Sequence, residues 1–150
     1  MKLRLLAVLL ALTTAAAPVA GGTAPPFLAG YTGRESYAPG DEVTLHVSSE
    51  IPEFDAEISR FGINPEKVWE QRGIRGSLQP VPEDASSIGC RWPQTVSVKI
   101  PDHWRSGYYH VTLRSRKKAS VPAEEDTSAA ASCAFVLRAG SPGKTSRILL

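Results

Sequence analysis

From Thr95 to Arg114 apolar and polar side chains alternate in two runs, parted by a proline and a glycine. Val96, Val98 and Ile100 alternate with Thr95, Ser97 and Lys99, the period of a strand with one buried face. Pro101 lacks the N–H that a central ladder needs, so this strand ends there. Ser106-Gly107 supplies a turn, and Tyr109, Val111 and Leu113 then fall on one face. Trp104 sits on the connection and is large enough to plug one end of a sheet packing. Two strands joined by this corner are expected at the centre of a β-sandwich, with Trp104 mostly buried.

The same period recurs on both sides of that pair. Val43, Leu45 and Val47 alternate with Thr44, His46 and Ser48, after a Tyr37–Asp41 turn in which Pro39 presets φ and Gly40 tolerates a positive one. Phe54, Ala56 and Ile58 alternate with Asp55, Glu57 and Ser59, in a strand ending near Phe61-Gly62. Phe27 to Tyr31 reads as an edge strand, and Ala134 to Arg138 as the last strand, with Phe135 and Leu137 on one face. Val68 to Gln71 reads as a short strand. Gly73, Gly76, Pro80 and Pro82 then exclude a long helix and predict a surface excursion, with Glu83 to Ser87 as polar loop. Lys117 to Ser132 reads as a long hairpin loop, and Trp69 and Trp92 as packing residues. The inward set is Val43, Leu45, Val47, Phe54, Ile58, Val96, Val98, Ile100, Tyr109, Val111, Leu113, Phe135 and Leu137. The fold class is therefore all-β: an immunoglobulin- or fibronectin-III-like antiparallel sandwich.

The first residues lie outside that domain. Lys2 and Arg4 open the chain, Leu5 to Leu12 are apolar and Thr13 to Gly22 are mostly small, the layout of a secretory signal peptide. The run is too short for a spanning helix, so no membrane span is expected once residues 1–22 are removed. Residues 23–140 form the expected domain. Residues 141–150 read as a linker, Gly140 to Gly143, leading into the start of a further domain at Arg147-Ile148-Leu149-Leu150. An apolar run with nothing to bury against suggests that the chain is a fragment of a longer one. The destination is secretion or the periplasm.

Lys2 and Arg4 also account for the surplus of 17 basic over 15 acidic side chains. The mature chain is near neutral, which argues against nucleic acid as a partner, since phosphates call for a surplus of cations. Arg114, Arg116, Lys117 and Lys118 cluster, but Glu124, Glu125 and Asp126 follow. Cys90 and Cys133 are the only cysteines. In an oxidising compartment they are a candidate disulfide contributing about 4 kcal/mol through loop closure; the other reading is two small, buried free thiols.

Catalytic constellations are thin. His46, His103 and His110 lie on different elements, and His46 and His110 fall at polar-face positions that read as solvated. Asp102-His103 has no nucleophile motif to complete it. Gly73-Ile74-Arg75-Gly76 does not open a helix and is too short for a phosphate loop. Asp55 and Glu57 read as the solvent side of a sheet. No catalytic, cofactor-binding or metal-binding residue is assigned, and no cofactor is expected in this chain.

Longer strings carry a family resemblance. Gly30-Tyr31-Thr32 and Ser36 to Val43, then Leu45 to Ser48, Phe54 to Gly62, Cys90-Arg91-Trp92-Pro93 and Ile100 to Tyr109, resemble the N-terminal region of the N,N-dimethylformamidase large-subunit family. Arg147 to Leu150 is similar to the point where those proteins enter their larger catalytic region. The resemblance implies a parent protein that hydrolyses small formamides at a metal centre whose ligands lie downstream. This chain would then be a β-sandwich segment without activity of its own, with the downstream catalytic domain as partner. The alternative from another class is a secreted Ig-like adhesion or carbohydrate-binding module.

Overall fold

The structure, a computed structural model, describes residues 25–115, 129–141 and 143–144. The leader expected over residues 1–22, the charged part of the loop after Ser115 and the closing Arg147–Leu150 run lie outside these described residues. Eight strands and one helical turn are described: β1 (Leu28–Thr32), β2 (Ser36–Tyr37), β3 (Glu42–Ser49), β4 (Glu53–Arg60), β5 (Glu66–Arg75), α1 (Ala85–Ile88), β6 (Gln94–Lys99), β7 (Gly107–Ser115) and β8 (Ala130–Leu137). They form two sheets, ordered β1-β3-β6 and β2-β8-β7-β4-β5. All pairings are antiparallel except the short one between β2 and β8. The protein is mostly β.

The period-2 pattern places the core. Every side chain of the expected inward set is buried. The two sheets share one hydrophobic cluster, which also takes in Leu28, Tyr37, Ala56, Ile74 and Trp104. At Gly30 of β1 the sheets leave no room for a side chain: a Cβ would stand 2.8 Å from Leu113 Cδ1 of β7. A side chain at this position has to displace the core leucine.

One expectation about the central pair is corrected. β6 and β7 are not neighbours: β6 is an edge of the smaller sheet, and β7 lies inside the larger one, between β8 and β4. Pro101 still ends the first run, and residues 100–106 carry the chain from one sheet to the other. Trp104 is buried there, at 7% exposure. Its indole stacks on Tyr109 at 5.3 Å and 11°, Tyr109 stacks on Phe135 at 5.2 Å and 11°, and Phe135 meets the edge of Tyr37 at 5.4 Å and 83°. The Tyr109 hydroxyl donates to the Arg105 carbonyl at 2.6 Å, tying the start of β7 to its own corner.

Other boundaries moved for identifiable reasons. β5 is longer than Val68–Gln71, because pairing with β4 carries it through Gly73 to Arg75 across two register shifts. The Glu83–Ser87 stretch contains a single helical turn, Ala85–Ile88. β8 starts at Ala130, since β7 supplies ladder partners from Ala130 onward even for small side chains.

Replacing Trp104 with alanine is expected to cost about 3 kcal/mol or more, from a large buried ring and a lost stacking partner. Urea unfolding checks it: a loss under about 1 kcal/mol would mean that the corner does not support the core. Tyr109→Phe, which keeps the stack and removes only the bond to Arg105, is expected to cost about 1 kcal/mol.

Candidate functional site

The structure scatters most of the residues that carry chemistry. His46 lies on β3, His103 on the exposed corner and His110 on β7, beside the Thr112 hydroxyl at 3.4 Å. Among the described residues, no three His, Cys, Asp or Glu side chains converge to hold a metal ion. The described residues therefore supply no metal-ligand set, and no chemical step is derived through a metal.

His46 is not the solvated histidine that its polar-face position suggested. It stacks on Tyr31 at 5.1 Å and 7°, its Nδ1 lies 2.7 Å from the Trp92 carbonyl and its Nε2 lies 3.3 Å from Thr44 Oγ1. The Tyr31 hydroxyl accepts the Trp92 N–H at 2.9 Å, and the Trp92 indole N–H donates to Pro80 O at 2.9 Å. Ser48 Oγ, fully buried, is bonded by the backbone of Gln79. These contacts fasten the excursion between β5 and β6 onto β3. His46 therefore serves as a packing and hydrogen-bonding residue.

The cysteines do not form the bridge weighed from sequence: Cys90 and Cys133 are both free and part-buried. Cys90 stands just before Trp92, whose partners are Tyr31 of β1 and His46 of β3, neighbours across the smaller sheet. Cys133 packs against the core cluster from β8. The second sequence reading, buried thiols, describes Cys133 well. Burial pushes its thiol up to about 11.

Asp55 and Glu57 do share the outer face of β4. They border a shallow groove of about 470 Å³ together with Glu70, Arg72, Thr112 and Arg114. Its carboxylates are already engaged. Asp55 accepts the Gly73 N–H at 2.8 Å, Glu57 accepts the Ser59 hydroxyl at 3.0 Å, and Glu70 pairs with Arg72 and, at 2.7 Å, with Lys67. The Arg72 hydrogen bond first, and the Lys67 bond after it, hold the Glu70 carboxyl down at about 2. The acidic groups of this groove are therefore committed to neighbours on the same sheet surface.

Two features at the other end of the larger sheet remain unmatched. One is an exposed apolar patch of Phe61 (60% exposed), Tyr108 (48%) and Val136 (44%), with the fully exposed Ile63 two residues beyond Phe61 in the chain. Phe61 and Tyr108 meet edge to face at 6.1 Å, and Tyr108 is the ladder partner of Val136 near the end of β8. The other is a cleft of about 250 Å³ beside Trp104, bordered by Arg60, Glu66, Lys67, His103 and Arg105. Sequence reading passed over Arg60, the last residue of β4. The available signal was a charged side chain at the end of an alternating run, two residues before Gly62.

Residues 55–150 match a family described as N,N-dimethylformamidase beta subunit-like, C-terminal. That description names the beta subunit, where the motif resemblance was to the large one. No curated protein matches the chain. Among solved structures it is similar to Spo0M, a sporulation control protein from Bacillus subtilis, at 16% identity and a TM-score of 0.45. The similarity covers 78% of this chain and 50% of that one, so the chain spans about half of that protein's length.

The buried thiol gives a testable consequence. Cys133 is expected to resist iodoacetamide at mildly alkaline pH in the folded chain and to react once the chain is unfolded. Because an unfolded thiol ionises near 9.0 and the folded one near about 11, stability should fall as pH rises through that window. Rapid alkylation of native Cys133, followed by peptide mass spectrometry, would contradict both statements.

Proposed function

This chain belongs to the N,N-dimethylformamidase beta subunit-like family, and on that premise we propose that it is a non-catalytic immunoglobulin-like sandwich segment of a secreted amide hydrolase acting on small formamides. The supporting observation is the family match itself, which runs from β4 through β8 and on to the final residue. Residues 1–22 would be removed on export, residues 23–140 would fold as one domain, and residues 141–150 would lead into the catalytic region.

The immunoglobulin-like assignment draws on topology and on one side chain. With β1, β3, β4, β6, β7 and β8 taken as strands A, B, C, E, F and G, the sheets read A-B-E and G-F-C, with β5 added beyond C and β2 beyond G. Tyr109, near the start of the F-like strand, donates its hydroxyl to the carbonyl of Arg105 upstream. A tyrosine corner of immunoglobulin-type sandwiches makes the same kind of bond.

The apolar patch supplies a way for such a segment to work. Phe61, Tyr108 and Val136 lie where β8 finishes, on the side from which the chain continues toward residue 150. Exposed apolar groups gathered in one place mark an interaction surface, and here the partner would be the downstream catalytic domain of the same protein.

The test uses the chain alone, with amide-release and metal analysis. No turnover of dimethylformamide and no stoichiometric iron or zinc are expected. Stoichiometric metal, or turnover abolished by one substitution at His46, His103 or His110, would show that the catalytic centre lies within this chain.

A further inference from the structure

The cleft beside Trp104 holds a guanidinium that makes no ion pair among the described residues, although Glu66 stands opposite it on β5 as its ladder partner. Arg60 is confined between two positions without side chains: a Cβ at Gly107 would stand 3.3 Å from its Nε, and one at Gly62 4.0 Å from its Nη1. Gly107 has φ 150, so both backbone conformation and space favour glycine there. Among the described residues the guanidinium makes one hydrogen bond, Nη2 to Ser106 O at 3.3 Å, and Nε is buried without an acceptor. A buried donor left unpaired costs about 1–3 kcal/mol, and a guanidinium cannot escape by losing its proton.

The surroundings do not neutralise it. Arg105 and His103 line the same cleft, and among the described residues their side chains make no hydrogen bond or ion pair. Lys67 is already engaged by Glu70 at 2.7 Å. Glu66 is the one carboxylate on the lining. The Tyr109 phenol at the cleft is raised mainly by burial, but it also feels Arg60 and Arg105 pulling down and Glu66 pushing up, so the three charges act on one point. Two uncommitted guanidinium groups thus oppose a single carboxylate, with an indole and a phenol as walls.

We propose that this cleft binds a small oxyanion, a carboxylate or a phosphate, with Arg60 as the fixed donor and Arg105 as the mobile second one. The planar fork of arginine matches the two oxygens of either group and favours bidentate contact. Glu66 limits the charge that the cleft accepts, so a monoanion is preferred. Neither the family assignment nor the apolar patch enters this inference.

The test is a titration of the full chain with acetate and, separately, with inorganic phosphate, at constant ionic strength made up with chloride. Amide-type NMR spectra follow Arg60 Nε–H and Trp104 Nε1–H. A saturable shift at Arg60 is expected with at least one probe. Arg105→Gln, on an exposed side chain, should weaken it roughly tenfold or more, while Arg91→Gln, which pairs with Asp84 elsewhere, should leave it unchanged. Saturation by acetate alone identifies a carboxylate site, and saturation by phosphate as well identifies a general oxyanion site. Shifts that never saturate, that chloride reproduces, or that survive Arg105→Gln would overturn the proposal.

Discussion

The stack of Trp104, Tyr109, Phe135 and Tyr37 is the interaction on which the rest depends. It begins on the crossing between sheets, passes through neighbouring strands β7 and β8, and ends on the short β2. A crossing segment loses the ladder bonds that hold a strand, so something else has to order it. Here two side-chain devices do so: Trp104 buries its ring against Tyr109, and Tyr109 returns a hydrogen bond to Arg105. The corner and the core are one packed unit, and the edge position of β6 is stable because of it.

That corner also explains where polar groups end up unmatched. On the outer face of the larger sheet, side chains alternate freely into solvent and pair with neighbours, as Glu70 does with Lys67 and Arg72. Such exposed pairs contribute little to stability, but they leave no field for a ligand. Beside the corner, the backbone must turn tightly at Gly107, and Arg60 is caught beneath it. The geometry that closes the core therefore holds a cation close to the turn, with its Nε buried and unpaired.

Much of the fold was legible because burial in a two-sheet protein follows strict alternation. A strand with one wet face must place apolar residues every second position, and the segments around Val43, Phe54, Val96, Tyr109 and Phe135 obeyed this. The family was legible from longer strings, because corners such as Trp104 to Tyr109, within the matched residues 55–150, combine many constrained positions. The candidate site was barely legible. His46 occupies an outward position and was read as solvated, yet the returning excursion covers it with Trp92. Arg60, at the end of its strand, carries no assignment in the sequence. Alternation tells which way a side chain points and not what later covers it.

The sequence by itself determined the strands, the inward set, the turn residues and the weight of Trp104, because each rests on the chemistry of a few adjacent residues. Only the tertiary structure decided which strands became neighbours. It put β6 and β7 in different sheets, extended β5 and β8 by lending them ladder partners, and left Cys90 and Cys133 as separate thiols. It also brought Arg60, His103 and Arg105 to one cleft from two distant stretches of chain. These outcomes depend on contacts between residues far apart in sequence, which local periodicity does not encode.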